Sequence, residues 1–125
     1  MFAGMEAAIG PAEVIHAGPL EIRPAGFVAL ASGVRLQLTV RELALLTELA
    51  RRSGRLVSRA ELYAVVWGGP YRRNERSVDV YVRKLRAKLG DALPGWAFIH
   101  THFGFGYRFA PERLSQVFHT PTTAR

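Results

Sequence analysis

The run Asn74–Gly90, NERSVDVYVRKLRAKLG, constrains this chain more than any other stretch. Val78, Val82, Leu85 and Leu89 recur at spacings of 4, 3 and 4. That spacing aligns them on one stripe of an α-helix, and the stripe demands a core to cover it. Arg76, Ser77, Val80, Tyr81, Arg83, Lys84, Ala87 and Lys88 fall away from the stripe. The acids of the run, Glu75 and Asp79, sit at its start, where the helix dipole favours negative charge. Gly90 is placed to end the helix. The expectation is a helix over Asn74–Leu89 with one apolar and one basic face. An ordinary solvated helix has the same pattern in isolation, so the rest of the chain must decide between them.

The chain has 125 residues, the length of one domain, and 49% of them are hydrophobic, enough for a core. It contains no cysteine, which excludes disulfides, thiolate metal sites and a thiol nucleophile. The opening MFAGMEAAIGPAEVI has no basic leader before an apolar run, and no stretch approaches the roughly 20 apolar residues of a membrane span. A cytoplasmic protein without a membrane partner is the expectation. Net charge is +7, and seven of the 17 Lys and Arg residues (Arg72, Arg73, Arg76, Arg83, Lys84, Arg86, Lys88) lie within Arg72–Lys88. A basic patch of that kind suits a polyanion.

In chain order, residues 1–17 lack periodicity and read as a flexible arm or linker remnant. Residues 18–110 form the domain and 111–125 a tail, with a helical turn conceivable around Glu112–Val117. Leu20 and Ile22 alternate with polar residues, Phe27–Ala31 forms a second strand, and Val34, Leu36 and Leu38 place a third strand's apolar face. Thr39-Val40-Arg41-Glu42 has the form of a capping box opening a helix to about Arg52, with Leu43, Leu46, Leu49 and Ala50 as its stripe. Ser58–Glu61 repeats the signal before a second helix carrying Leu62, Val65, Val66 and Trp67, closed by Gly68-Gly69-Pro70. After the third helix, Trp96–Thr101 and Tyr107–Phe109 flank Gly104 and Gly106 as a hairpin. The fold class is α+β: an N-terminal antiparallel sheet, three helices and a C-terminal hairpin.

That order, carried by LTVRELALLTELARRSGRLVSRAELYAVVWG, RSVDVYVRKLRAKLG and HTHFGFGYRF, resembles the winged helix-turn-helix output domain of OmpR/PhoB-type response regulators. The resemblance covers roughly Leu20–Ala110. It implies sequence-specific binding of double-stranded DNA by a bacterial transcription regulator. The recognition helix 74–89 would enter the major groove, and the wing 97–109 would lie on the backbone or minor groove. Arg83 and Lys84 match family positions that meet DNA; Arg76, Ser77, Tyr81 and Arg86 match positions that touch backbone or bases. Lys84 and Tyr81 are assigned to base edges and Arg76, Arg83 and Arg86 to phosphates, with Lys88 and His102 included in the interface. Contact with thymine methyls would explain Val80 and Ala87 on the exposed face, although a lone exposed valine is ordinary. Thr101 matches a wing position that meets the sugar-phosphate backbone, and Tyr107 a familiar hairpin aromatic.

Phe103 stands where many members carry an arginine that enters the minor groove. Apolar cover of the hairpin base is the expectation for it, a minor-groove wedge or a partner contact the alternatives. Trp67 and the loop Gly68–Glu75, with Tyr71, Arg72 and Arg73, match a segment that contacts RNA polymerase; equally, Trp67 caps the core there. The family's full proteins carry a receiver phosphorylated in two-component phosphorelays. Only Asp79 and Asp91 exist here, neither in an acidic cluster, so the chain is either an output domain of a longer protein or a free-standing regulator.

Pairing of domains on repeated half-sites follows from the resemblance. His100 and His102 share a strand face but have no acidic or cysteine partner nearby, so no metal site is expected. Glu42, Glu48 and Glu61 sit at helix caps and solvated faces. Neither a catalytic centre nor a cofactor is expected. Two rival readings are a module that docks RNA polymerase or another regulator, and a nonspecific nucleoid-type DNA binder.

Overall fold

The computed structural model describes residues 12–114. Ile15–Ala17 (β1), Leu20–Arg23 (β2), Val28–Ala31 (β3) and Val34–Arg35 (β4) make an antiparallel meander in that order. Leu20 pairs with Ala31 and Ile22 with Ala29, so alternate residues Leu20, Ile22, Ala29 and Ala31 turn into the core. The arm read over residues 1–17 therefore ends sooner, because β1 pairs along β2 from Ile15 and buries Ala17. Phe27 does not belong to the second strand: it closes a 3-10 turn over Pro24–Gly26 at φ 53° and is exposed. The third strand is only two residues long. Val34 points to solvent while Leu36 and Leu38 pack on the core from an irregular segment.

Val40–Arg51 (α1) opens with the expected capping box. The Thr39 hydroxyl accepts from the Glu42 amide at 3.1 Å, and a Glu42 carboxylate oxygen accepts from the Thr39 amide at 2.9 Å. Leu43, Leu46, Leu49 and Ala50 are buried as their spacing requires. Leu56–Ser58 (β5), a strand not anticipated, then leads into Arg59–Val66 (α2). The Ser58 hydroxyl caps α2, but the Glu61 carboxylate turns to Arg52 and Arg55 rather than back to its cap. Leu62 is buried, whereas Val65 is on the exposed side of the helix.

The third helix, Ser77–Ala92 (α3), starts three residues later than its expected Asn74 and runs past Gly90. A turn in which the Glu75 amide donates to the Arg72 carbonyl keeps Asn74 and Glu75 outside. At the other end Leu93 continues the apolar stripe from Leu89, and burial of both outweighs the roughly 1 kcal/mol that a glycine costs inside a helix. Pro94 supplies the stop, since the residue before a proline is pushed out of the helical region; Leu93 lies at φ −134°, ψ 70°.

Trp96–His102 (β6) and Gly106–Arg113 (β7) form the hairpin, and β5 adds to its other edge in the order β5-β7-β6. The wing strand thus extends to Arg113, taking in the first residues assigned to the tail; residues 115–125 lie outside the described range. Gly106 is required by β5: a Cβ there would sit 2.0 Å from the Val57 carbonyl oxygen. Val78, Val82, Leu85 and Leu89 meet α1, Leu62 and the hairpin's Phe98, Ile99 and Phe109 in one core. Helix α3 is therefore held from behind on all sides, leaving its opposite face free.

Candidate nucleic-acid interface

The outward face of α3 divides its cations into two groups. Arg76, Arg83 and Lys84 are exposed and make no salt bridge or hydrogen bond among the described residues, although the Arg76 charge helps to lower the pKa of nearby Asp79. The Lys84 ammonium rests 4.8 Å from the centroid of the Tyr81 ring, which in turn meets Trp67 edge-on at 5.3 Å. That contact steadies a long side chain without neutralising it. Tyr81 is half-buried, and Val80 is also partly covered rather than fully presented.

Arg86 and Lys88 are committed inward. The Arg86 guanidinium donates to the Ile99 carbonyl at 2.8 and 3.1 Å and to the Thr101 hydroxyl at 2.6 Å, pinning β6 alongside α3. Lys88 donates to the Glu42 carboxylate at 2.7 Å and the Gln37 carbonyl at 2.9 Å, locking α3 to the cap of α1. Lys88, expected at the interface, is engaged in this brace. Glu42 is only 3% exposed. Burial alone would raise its carboxyl, but the hydrogen bonds from Lys88 and Thr39 outweigh burial and hold it below the ordinary value.

A second brace joins the wing to the first turn of α3. Asp79 accepts from Arg59 at 2.7 Å and from the Tyr107 hydroxyl, and the Arg59 guanidinium lies over the Tyr107 ring at 5.0 Å. Burial again opposes ionisation of Asp79, and the Tyr107 and Arg59 hydrogen bonds overcome it, lowering its pKa. Burial and the Asp79 carboxylate together raise that of Tyr107. Tyr107, expected at the DNA contact, is 4% exposed and its hydroxyl is engaged in this tie. This Arg59–Asp79–Tyr107 group was not anticipated; its only sequence signal was the basic residue opening α2.

Elsewhere on the wing, the His102 imidazole accepts from Arg108 at 3.2 Å and His100 lies 2.8 Å from the Ala110 carbonyl. Among the described residues no three metal-ligating side chains come together. Phe103 is 88% exposed at the hairpin tip, so it does not cover the hairpin base as expected; Phe105, not singled out from sequence, is 68% exposed beside it. Ser77 donates to Glu75 next to the helix start, and Thr101 presents a hydroxyl already shared with Arg86.

The segment after α2 is likewise divided. Trp67 stacks on Tyr63 at 5.5 Å and carries the Arg41 guanidinium 5.1 Å from its ring centroid, which makes it part of the packing. Tyr71 meets Tyr63 edge-on, while Arg72 and Arg73 are exposed.

Residues 33–109 match the family model described as "Transcriptional regulatory protein, C terminal". The chain belongs to this family. The matched residues run from β4 into β7 and so include α3 and most of the hairpin. The transcriptional regulatory protein AfsQ1 of Streptomyces coelicolor is 42% identical over 96 residues, spanning 77% of this chain and 43% of that protein. PrrA of Mycobacterium tuberculosis is 39% identical over 100 residues, 80% of this chain and 42% of its own. The chain therefore spans less than half the length of these relatives.

Among solved structures, the DNA-binding domain of CpxR from E. coli superposes with a TM-score of 0.73 at 30% identity, covering 79% of this chain and 97% of that one. The Klebsiella pneumoniae RstA DNA-binding domain in complex with the RstA box gives 0.71 at 33% identity, covering 78% and 97%. A transcription-factor DNA-binding domain is not an enzyme class. Among the described residues, no helix is long and apolar enough to cross a membrane.

Proposed function

We propose that this domain binds double-stranded DNA sequence-specifically on behalf of a bacterial transcription regulator, with α3 in the major groove and the β6–β7 wing beside it. The observation that carries the reading is the set of exposed cations without a bonded partner, Arg76, Arg83 and Lys84, on the free face of a helix braced from behind. A helix of this diameter fits the major groove of B-DNA, and rigid support keeps its side chains in register with base edges. Lys84, steadied by Tyr81, reads a base; Arg76 and Arg83 hold phosphates, and Ser77, Val80 and Thr101 line the contact. Arg86 contributes by holding the wing in place. Related proteins of greater length, and a relative solved on its DNA box, support this assignment. In the cell the domain works at the nucleoid, paired on repeated half-sites.

Exposed Arg72 and Arg73 on the loop before α3 favour a second contact, with RNA polymerase, from the same bound state. Selection of the chain against randomised duplexes, followed by anisotropy titration, tests the main reading. The expected result is a motif bound on the order of 10³-fold or more above scrambled DNA. Tight, salt-sensitive binding without a motif would replace it by a nonspecific binder; no binding would leave the protein-docking role.

A further inference from the structure

We infer that the wing tip is an apolar wedge: Phe103, supported by Phe105, inserts between base pairs in the minor groove flanking the α3 site and unstacks them. This rests on the DNA-binding reading above and adds a mode of contact to it. Two phenylalanines at 88% and 68% exposure on one three-residue loop are a poor arrangement for a surface that faces only water. Their placement is fixed. His102 pairs with Gly106, the Phe105 amide donates to the His102 carbonyl at 2.9 Å, and Gly104 takes φ +83° with open space around it. The loop is therefore a closed turn that carries its rings outward on a rooted hairpin.

The surroundings of the tip select the partner. Between Ile99 and Ala110 there is no acidic residue; Arg108, bonded to His102 and 4.0 Å from Glu112 further down the strand, and the wing-bound Arg86 lie on these strands or against them. An apolar point on an acid-free loop, with Arg108 on its strands and Arg86 against them, complements a polyanion whose interior is apolar stacked rings. It matches an apolar protein groove less well, since such a groove would have to desolvate the same cations. The tip also cannot move independently of α3. Arg86 grips Ile99 and Thr101, and Tyr107 is bonded to Asp79, so Phe103 lies two residues, or about 7 Å of extended chain, beyond an anchored position. With α3 in the major groove, the wedge requires the hairpin, tied to α3 by these bonds, to reach the adjacent minor groove. A neutral ring there has neither charge nor donor to offer a base edge, but it can replace a base as stacking partner. Flexible pyrimidine–purine steps, TA or CA, are the substrate it selects.

The test uses the complete chain and duplexes bearing its selected motif, with 2-aminopurine placed in turn at each step flanking the α3 half-site. Bending is measured on the same duplexes by end-to-end energy transfer. Fluorescence should rise several-fold at one flanking step, with a bend on the order of 20–90°. Phe103→Ala should bind the same motif about tenfold more weakly and abolish both signals; Phe105→Ala should reduce them. Since both rings are exposed, unchanged thermal unfolding of the variants would show that folding is not the cause. Motif binding by the unaltered chain with no fluorescence rise at any step would overturn the wedge and leave the DNA-binding reading intact. Signals that persist in Phe103→Ala would also overturn it and return the tip to protein contacts. Failure to bind any duplex would remove the DNA-binding reading and the wedge with it.

Discussion

Arg51, Arg52 and Arg55 at the end of α1, and Arg76, Arg83 and Lys84 on α3, are surface cations of one small domain with opposite electrostatic settings. The first three share Glu13, Glu48 and Glu61: Arg51 reaches Glu13 and Glu48, Arg52 reaches Glu48 and Glu61, and Arg55 reaches Glu61, at 2.6–3.0 Å. Hydrogen bonds from Arg55 and Arg52 hold the Glu61 carboxyl below its ordinary value. The α3 cations have no such partner among the described residues. A cation count treats the two regions alike; only the second has charge left to offer a phosphate. Arg86 and Lys88 form an intermediate class, cationic and on α3 but engaged in joining it to the wing and to α1. Position on the helix does not by itself leave a cation free; the absence of an internal partner does.

The largest expected effect is on the engaged class. Lys88→Met leaves the buried Glu42 carboxylate without its ammonium and should cost about 2–3 kcal/mol at neutral pH, read by urea denaturation. The pH dependence has a definite sign. Glu42 is held below its ordinary 4.5 in the folded chain, so the pair's contribution is complete above that pH and disappears as pH falls through the lowered value. The gap between the native chain and Lys88→Met should therefore narrow in acid, and Glu42→Gln in the Lys88→Met background should recover part of the loss. A pH-independent gap would refute the pairing. Among the free cations, Lys84→Ala should leave stability unchanged and reduce discrimination between selected and scrambled duplexes by about 1–3 kcal/mol. Equal losses on both duplexes would move Lys84 from base reading to phosphate binding.

The elements that local chemistry determines were legible in the sequence. The Val78–Leu89 stripe, the Thr39 capping box and the Ser58 cap all appear where periodicity and side-chain type place them. Strand β5 was not legible, because three residues carry no period and its existence depends on β7, about fifty positions later. Gly90 misled for a similar reason: its helical conformation is set by burial of Leu93, a tertiary fact. At the site, the basic face was visible but its division was not. Arg86 and Lys88 are bonded to groups 13 to 51 positions away, and Tyr107 to one 28 away. Phe103 was conspicuous by type, yet its direction depends on the hairpin turn.

Salt titration of Arg83→Ala beside Arg55→Ala on the selected duplex tests most directly which surface meets DNA. The Arg83 variant should lose affinity on every sequence and flatten the slope of log affinity against log salt by about one unit. The Arg55 variant should keep the native slope and change stability by less than about 1 kcal/mol. Equal slopes for both variants, or the loss appearing in Arg55→Ala instead, would contradict the placement of DNA on the free face of α3.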